Sequence, residues 1–436
     1  MKTSRCGRML PYKNEYGRIL IAKRAIWKWL ILLVMLLPDG AFQLFPIYTS
    51  ETPSDISYKW LNYKFGILSF LILLACVFYA MKKREKWIGI LFLAMILREL
   101  GVCIFTPNNI FFCGRYEMYL SLFMGLLLAV AAKNICDNQD DYVEFFSLLL
   151  FSNIATIFFS ILVKPSGLHG RYNITNMDVG TSGWLCCIAL LFTIIERKNW
   201  RGIWIGVFCT VALFLSGSRT NFLITLVAVL GLLLWRRVRN KSIKKNTMIV
   251  VSFLSVAFVA GLVWLLCSQT GQTLVDNVIL DSRLIKALNV SEVKSDGSFR
   301  GRSSSLTAGF GILKDNPLGI SGYFINLQRE TRARGFSTFP HCGALDAYLI
   351  FGPIVILLFA FWIKVLINLF KKKSEYFFLL FSLVLYQIVA GGAIVNFKIY
   401  TFYALLTFLV YDTSKVEKTA WVTKEGENLC DTKLSN

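Results

Sequence analysis

Apolar runs of about 20 residues recur along this chain, and each is long enough to cross a hydrocarbon core of roughly 30 Å as a helix. There are too many of them for a single buried core helix. They do not alternate with period two, which argues against a β-barrel. Charged residues make up 17% of the chain and hydrophobic ones 56%, whereas a soluble domain carries about 25% charged residues. The chain therefore reads as an all-α polytopic membrane protein.

The formal net charge is +21. In a soluble protein this would point to nucleic acid. Here it reads as topology, because Lys and Arg collect in cytoplasmic loops, and no nucleic-acid partner is expected. Residues 1–28 hold eight basic residues against Glu15, which marks a cytoplasmic N-terminus. The first apolar run, about 27–47, lacks a small-residue cleavage site and reads as an uncleaved helix. Further spans are expected at about 61–81, 87–105, 117–132, 143–163, 179–195, 202–216, 221–235, 247–267, 344–370, 375–396 and 399–412. The count is about twelve. Lys82–Lys86, Lys133, Arg197–Arg201, Arg236–Lys245 and Lys371–Lys373 then all fall on the inner side, and both termini are cytoplasmic. The expected organisation is a bundle of about nine spans over 1–267, a large extracytoplasmic loop over 268–342 between spans 9 and 10, about three spans over 343–412, and a tail over 413–436.

One alternative reverses every later loop. The runs 202–216 and 221–235 are only about 15 residues each, marginal for a span, and could form one long helix with Arg219 buried inside it. The basic cluster at 236–245 and Lys371–Lys373 argue for two helices hinged at Ser216-Gly217-Ser218-Arg219-Thr220.

Few residues are suited to chemistry. Arg219 lies deep relative to an ordinary loop. A guanidinium there either meets the oxygens of an anion in an outward-opening funnel or snorkels from a helix end. Arg171 sits in the loop Lys164–Asp178, whose Tyr172, Asn173, Thr175, Asn176 and Asp178 are suited to sugar hydroxyls or simply to solvent. Within the large loop, Arg300 and Arg302 precede a modest helical stripe of Leu306, Phe310 and Leu313, expected to form a membrane-facing amphipathic helix. Serines and two arginines at its start would add free backbone N–H groups to an anion site. Asn316-Pro317-Leu318-Gly319 ends the helix with turn residues.

His341 is one of two histidines, His169 being the other. A neutral imidazole near pH 7 can accept a proton, though a lone His is commonly structural. Arg98 and Glu99 are adjacent inside an apolar run. Neighbours do not face each other on a helix, so each is expected to find a partner elsewhere, either in an internal ion pair or in a substrate cavity. The eleven cysteines show no metal spacing. Cys103 with Cys113, or Cys267 with Cys342, are the pairs that an outer-side disulfide would use. No P-loop, HExxH, GxSxG or paired-carboxylate pattern is present, so neither ATP hydrolysis, a metal nor a cofactor is expected.

Three stretches resemble the O-antigen polymerase and ligase superfamily of bacterial surface-polysaccharide assembly. They are Leu213–Thr220 with its Ser-x-Ser-Arg-Thr hinge, Arg300–Gly322 with its Pro-Leu-Gly turn, and Phe339-Pro340-His341 followed by Leu345, Tyr348 and Gly352. Cys342 stands where that family usually has Asn, and Pro353 where a second Gly is often found. The resemblance implies a GT-C-like architecture in the bacterial cytoplasmic membrane and inverting, metal-independent glycosyl transfer on its outer face. The implied donor is a glycan on undecaprenyl pyrophosphate, with a glycan acceptor, membrane lipids and a chain-length regulator or flippase as partners. Arg171, Arg219 and Arg300 or Arg302 would neutralise the pyrophosphate, and His341 would be the general base. Polymerisation of lipid-linked repeats is the leading expectation. A ligase passing finished glycan to another acceptor, and a non-enzymatic flippase, are the alternatives.

Overall fold

A computed structural model of the chain describes residues 15–36, 86–105, 117–163, 172, 174, 177, 179–196, 200–240, 297–320, 330, 333–334, 342–389 and 397–413. These residues form twelve helices and no strand. In chain order they are α1 (Glu15–Leu36), α2 (Lys86–Phe105), α3 (Glu117–Ile135), α4 (Gln139–Val163), α5 (Val179–Glu196) and α6 (Trp200–Ser216). There follow α7 (Arg219–Asn240), α8 (Gly297–Asp315), α9 (Gly343–Phe351), α10 (Ile354–Lys371), α11 (Phe377–Val389) and α12 (residues 397–413). By length and composition, Gln139–Ser160, Thr220–Arg237 and Ile354–Lys371 can each cross a membrane. The spans expected at 61–81 and 247–267 lie outside the described residues.

The core is centred on α5, which is packed by α6, α7 and α11. Its residues are apolar almost all round, as they must be in a helix enclosed by others: Trp184, Leu185, Cys186, Cys187, Ile188 and Ala189 are all buried. Outer helices keep apolar residues on the side away from the core, as with Leu223, Leu226 and Leu230 of α7 and Leu357 and Ile363 of α10. Lys364 of α10 is exposed rather than internal to the bundle. A second, smaller core joins α2 and the start of α3 to α8, α9 and the start of α10, around Met95, Tyr119, Phe123, Ile312, Leu345, Leu349 and Phe351.

Charge pairs gather at one end of the bundle. Lys28 bonds Asp141, Arg24 pairs with Asp137, and Lys133 Nζ lies 2.6 Å from Asp412. Arg236 Nε donates to Glu375 at 2.9 Å and its Nη2 to the Ile194 carbonyl at 2.9 Å, while Tyr376 donates to Glu196. Phe146 near the start of α4 packs on Phe192 near the end of α5, which brings these groups to the same level. Lys133 and Arg236, two of the basic residues assigned to one side by sequence, thus lie at the same end of the described helices.

One expectation holds at the hinge, and one changes further on. The chain turns sharply between α6 and α7, with Gly217 at φ 61° and Gly217 N bonded to the Phe214 carbonyl at 3.0 Å. The 202–235 stretch is therefore two helices and not one. The single span expected over 344–370 is broken into α9 and α10 at Gly352-Pro353. Gly352 has φ 73° and ψ −158°, a region essentially closed to other residues. Pro353 supplies no N–H and disfavours helix at the residue before it. At nine residues, α9 is only about 14 Å long and cannot cross a membrane.

Candidate functional site

Away from the charge pairs, the chain just after Arg171 meets the hinge between α6 and α7. Tyr172 N donates to the Leu215 carbonyl at 3.0 Å, tying the chain just after Arg171 to the last turn of α6. Ile174 N donates to Ser182 Oγ at 3.0 Å, so the same segment is tied to the first turn of α5. Asn221, in the first turn of α7, donates to the Gly180 carbonyl at 2.5 Å and to Ser218 Oγ at 2.8 Å. Asn221 is buried. The N-terminal ends of α5 and α7 therefore lie side by side at the hinge. Both carry the partial positive charge and free N–H groups of a helix start, which favour an anion nearby.

Helix α11 extends this region to α9. Thr181 Oγ1 lies 3.3 Å from the Tyr386 hydroxyl, and Tyr386 stacks on Trp184 with centroids 5.7 Å apart. Two residues on, the Ile388 carbonyl accepts from Cys342 Sγ at 3.2 Å. This carbonyl belongs to the last turn of α11, where acceptors lack intrahelical donors. The Cys342 thiol is free, so no Cys267–Cys342 disulfide forms. Burial, and then the nearby Asp346 carboxylate, push the thiol above its ordinary range despite amide hydrogen bonds that pull the other way.

Helix α8 starts at Gly297, nine residues before the apolar stripe begins. Arg300 and Arg302 are thus inside the helix, not before it, and the N–H groups of Ser303–Ser305 are taken by the helical ladder. The free N–H groups are those of 297–300. At 100° per residue, positions 300 and 302 are about 200° apart round the helix axis. The buried face of α8 includes Ala308 and Ile312, with Leu306 and Leu313 partly buried beside it and Phe310 57% exposed. Arg334 folds back on the end of α8 to pair with Asp315.

Arg219 is the first residue of α7. Arg171 and His341 lie outside the described residues. Of their chain neighbours, Tyr172 bonds the last turn of α6 and Ser218 bonds Asn221 at the hinge, while Cys342 bonds α11, whose Tyr386 lies beside Thr181 of α5.

A second polar centre was only half legible in the sequence. Arg98 and Glu99 of α2 are buried, at 8% and 2% exposed. Contrary to expectation they meet each other, Arg98 Nη1 to Glu99 Oε2 at 3.1 Å. Tyr119 of α3 makes this possible, accepting from Arg98 Nη1 at 2.5 Å and donating to Glu99 Oε2 at 2.6 Å. The rest of the Arg98 fork goes to backbone, with Nε and Nη2 reaching the Leu318 carbonyl at 2.9 and 2.7 Å. The adjacent charges were visible in sequence; nothing marked Tyr119 or the carbonyl 220 residues away.

No curated protein matches the chain. Residues 204–360, which run from α6 through the hinge, α8 and α9 into α10, match the family model described as O-antigen ligase. The match supports a place in the O-antigen ligase and polymerase superfamily over that segment, which is less than half of the chain.

Proposed function

We propose that this membrane protein is a polysaccharide polymerase that joins undecaprenyl-pyrophosphate-linked oligosaccharide repeats on the outer face of the cytoplasmic membrane, with both termini inside. Supporting this reading are the bonds that tie the residue after Arg171 to the α6–α7 hinge and the start of α7 to that of α5, and the bond of Cys342 to α11, which itself packs on α5 (Tyr172 with Leu215, Asn221 with Gly180, Cys342 with Ile388). Two helix starts and a basic hinge suit the growing negative charge of a departing pyrophosphate. In the step proposed, an acceptor hydroxyl oxygen attacks the donor anomeric carbon from the face opposite the leaving group. The new C–O bond forms as the bond to the pyrophosphate oxygen breaks, and the configuration inverts. His341 takes the hydroxyl proton, and the electron pair leaves on the pyrophosphate, met by Arg171, Arg219 and one of Arg300 and Arg302.

The family description favours a second reading, transfer of finished glycan to a different acceptor. Deleting the gene and running the cell's glycans on a gel separates the two. Loss of long chains with single-repeat product retained supports the polymerase. Accumulated polymer beside an undecorated acceptor supports the ligase, and no outer-face product at all points to a flippase. The chemical step is tested separately. If Arg219→Ala and His341→Ala both leave long-chain polysaccharide unchanged, the assignment of those residues is wrong.

A further inference from the structure

The Arg98 centre is more than an ion pair made safe in the membrane. Neutralising Arg98 requires only Glu99, which is in contact. Yet most of the guanidinium is aimed elsewhere, at the turn that ends α8 and at the break that ends α9. Nε and Nη2 both reach the Leu318 carbonyl, and Nη2 lies 3.4 Å from the Leu349 carbonyl. The Tyr119 hydroxyl is 3.4 Å from the Ile350 carbonyl. Around this fork the two segments are stitched to each other. Ile320 N donates to Leu349 O at 2.7 Å, and the Tyr348 hydroxyl donates to Pro317 O at 2.8 Å. Beneath the stitch, Ala308 and Ile312 of α8 are buried at the α8–α9 contact, Ile312 in one core with Leu345, Leu349 and Ile350 of α9.

Both turns leave room for Arg98 at the cost of a side chain. A Cβ on Gly319 would meet Arg98 Nη2, and would lie 2.6 Å from Leu349 O. A Cβ on Gly352 would lie 2.7 Å from both Arg98 Nε and Leu318 O. Each glycine also has positive φ. Two glycine turns from distant parts of the chain are thus shaped round one side chain of α2.

We infer that Arg98, oriented by Glu99 and Tyr119, is a positioning residue: it fastens the loop helix α8 and the short helix α9 to α2 as one body, and so sets where the residues they carry stand relative to the hinge at Arg219. This rests on the function proposed above for its kinetic consequence, but not for its structural one. Helix α8 carries Arg300 and Arg302, and α9 begins two residues after His341. Loosening the fastening would leave every proposed catalytic group present and misplace part of the set.

Arg98→Lys separates fastening from charge neutralisation, since it keeps a cation beside Glu99 but loses the planar fork on Leu318 O. The protein is purified in full length. Spin labels on Lys314 of α8 and Ile90 of α2, both exposed, report the distance between the two helices. Transfer kinetics with a lipid-pyrophosphate oligosaccharide report the site. Arg98→Lys is expected to unfold near the wild-type temperature, to broaden or shift the label distance, and to raise donor KM by about tenfold with a smaller change in kcat. Tyr119→Phe, which removes the hydroxyl that aligns the fork, is expected to do the same more weakly. A narrow, unshifted distance in Arg98→Lys overturns the fastening, whatever the kinetics. A broadened distance with unchanged KM overturns the positioning role. A broadened distance in a protein whose wild type transfers no glycan upholds the fastening and overturns the proposed function.

Discussion

Gly319 and Gly352 stand against a single guanidinium, and the smallest change at either tests the surroundings most sharply. Gly352→Ala forces an L side chain into a glycine-only backbone region and against Leu318 O. It is expected to destabilise by about 1–3 kcal/mol from backbone strain alone, read as a lowered unfolding temperature in detergent. Gly89→Ala in the same helix as Arg98 has nothing within 4 Å of the new methyl and is expected to show no loss. Cys342 makes a second residue-scale case. Its thiol donates to the exposed last turn of α11, a bond an Asn amide can also make. Cys342→Asn is therefore expected to keep stability, and Cys342→Val to lose about 1 kcal/mol. Because the thiol is held above its ordinary range, the thiolate is scarce at neutral pH. Maleimide labelling of Cys342 is expected to be slow near pH 7 and to climb only as pH passes above the usual thiol range, unlike labelling of an exposed cysteine.

Among the elements, helices were legible wherever a long apolar run had a polar stop, because hydrocarbon leaves backbone groups no partners except their own. The expected 179–195 and 202–216 differ from α5 and α6 by at most two residues at an end. The failures have physical causes. Gly352-Pro353 sits within continuous apolar sequence, so hydropathy is blind to the break, although the Gly-Pro pair itself marked it. In α8 the sequence offered no sign of the packing on α9, which is carried by the small Ala308 and the branched Ile312 beside the stripe of Leu306, Phe310 and Leu313, because partner faces are not written in one helix's own period. For the α5–α7 contact, Asn221 is the element-scale test. Asn221→Ala removes two bonds, to Gly180 O and Ser218 Oγ. It is expected to cost about 1–3 kcal/mol and to loosen the α6–α7 hinge, measured by faster proteolysis after residue 216 in the folded protein.

At the scale of the whole molecule, paired charges gather at one end, and the starts of α5 and α7 lie together at the other. Reporters fused after residues 198, 240 and 373 are expected to read alike, as cytoplasmic, and one inserted at Gly217 to read on the opposite side. A reporter at 217 that agrees with the other three would undo the arrangement. The site was legible only as a set of segments, since Arg219 and the Pro-Leu-Gly turn carry local signals. How those segments meet was not legible, because contacts such as Arg98 with Leu318 join positions 220 residues apart. That separation has a consequence for how the chain is made. Arg98 enters the membrane long before Leu318 is synthesised, and for that interval the guanidinium has none of the carbonyls that finally hold it. Glu99 arrives at once and Tyr119 about one helix later, so the odd adjacency of two charges acts as a temporary counter-ion during synthesis. Glu99→Gln is accordingly expected to impair membrane insertion of chains truncated before residue 318 far more than it destabilises the finished protein.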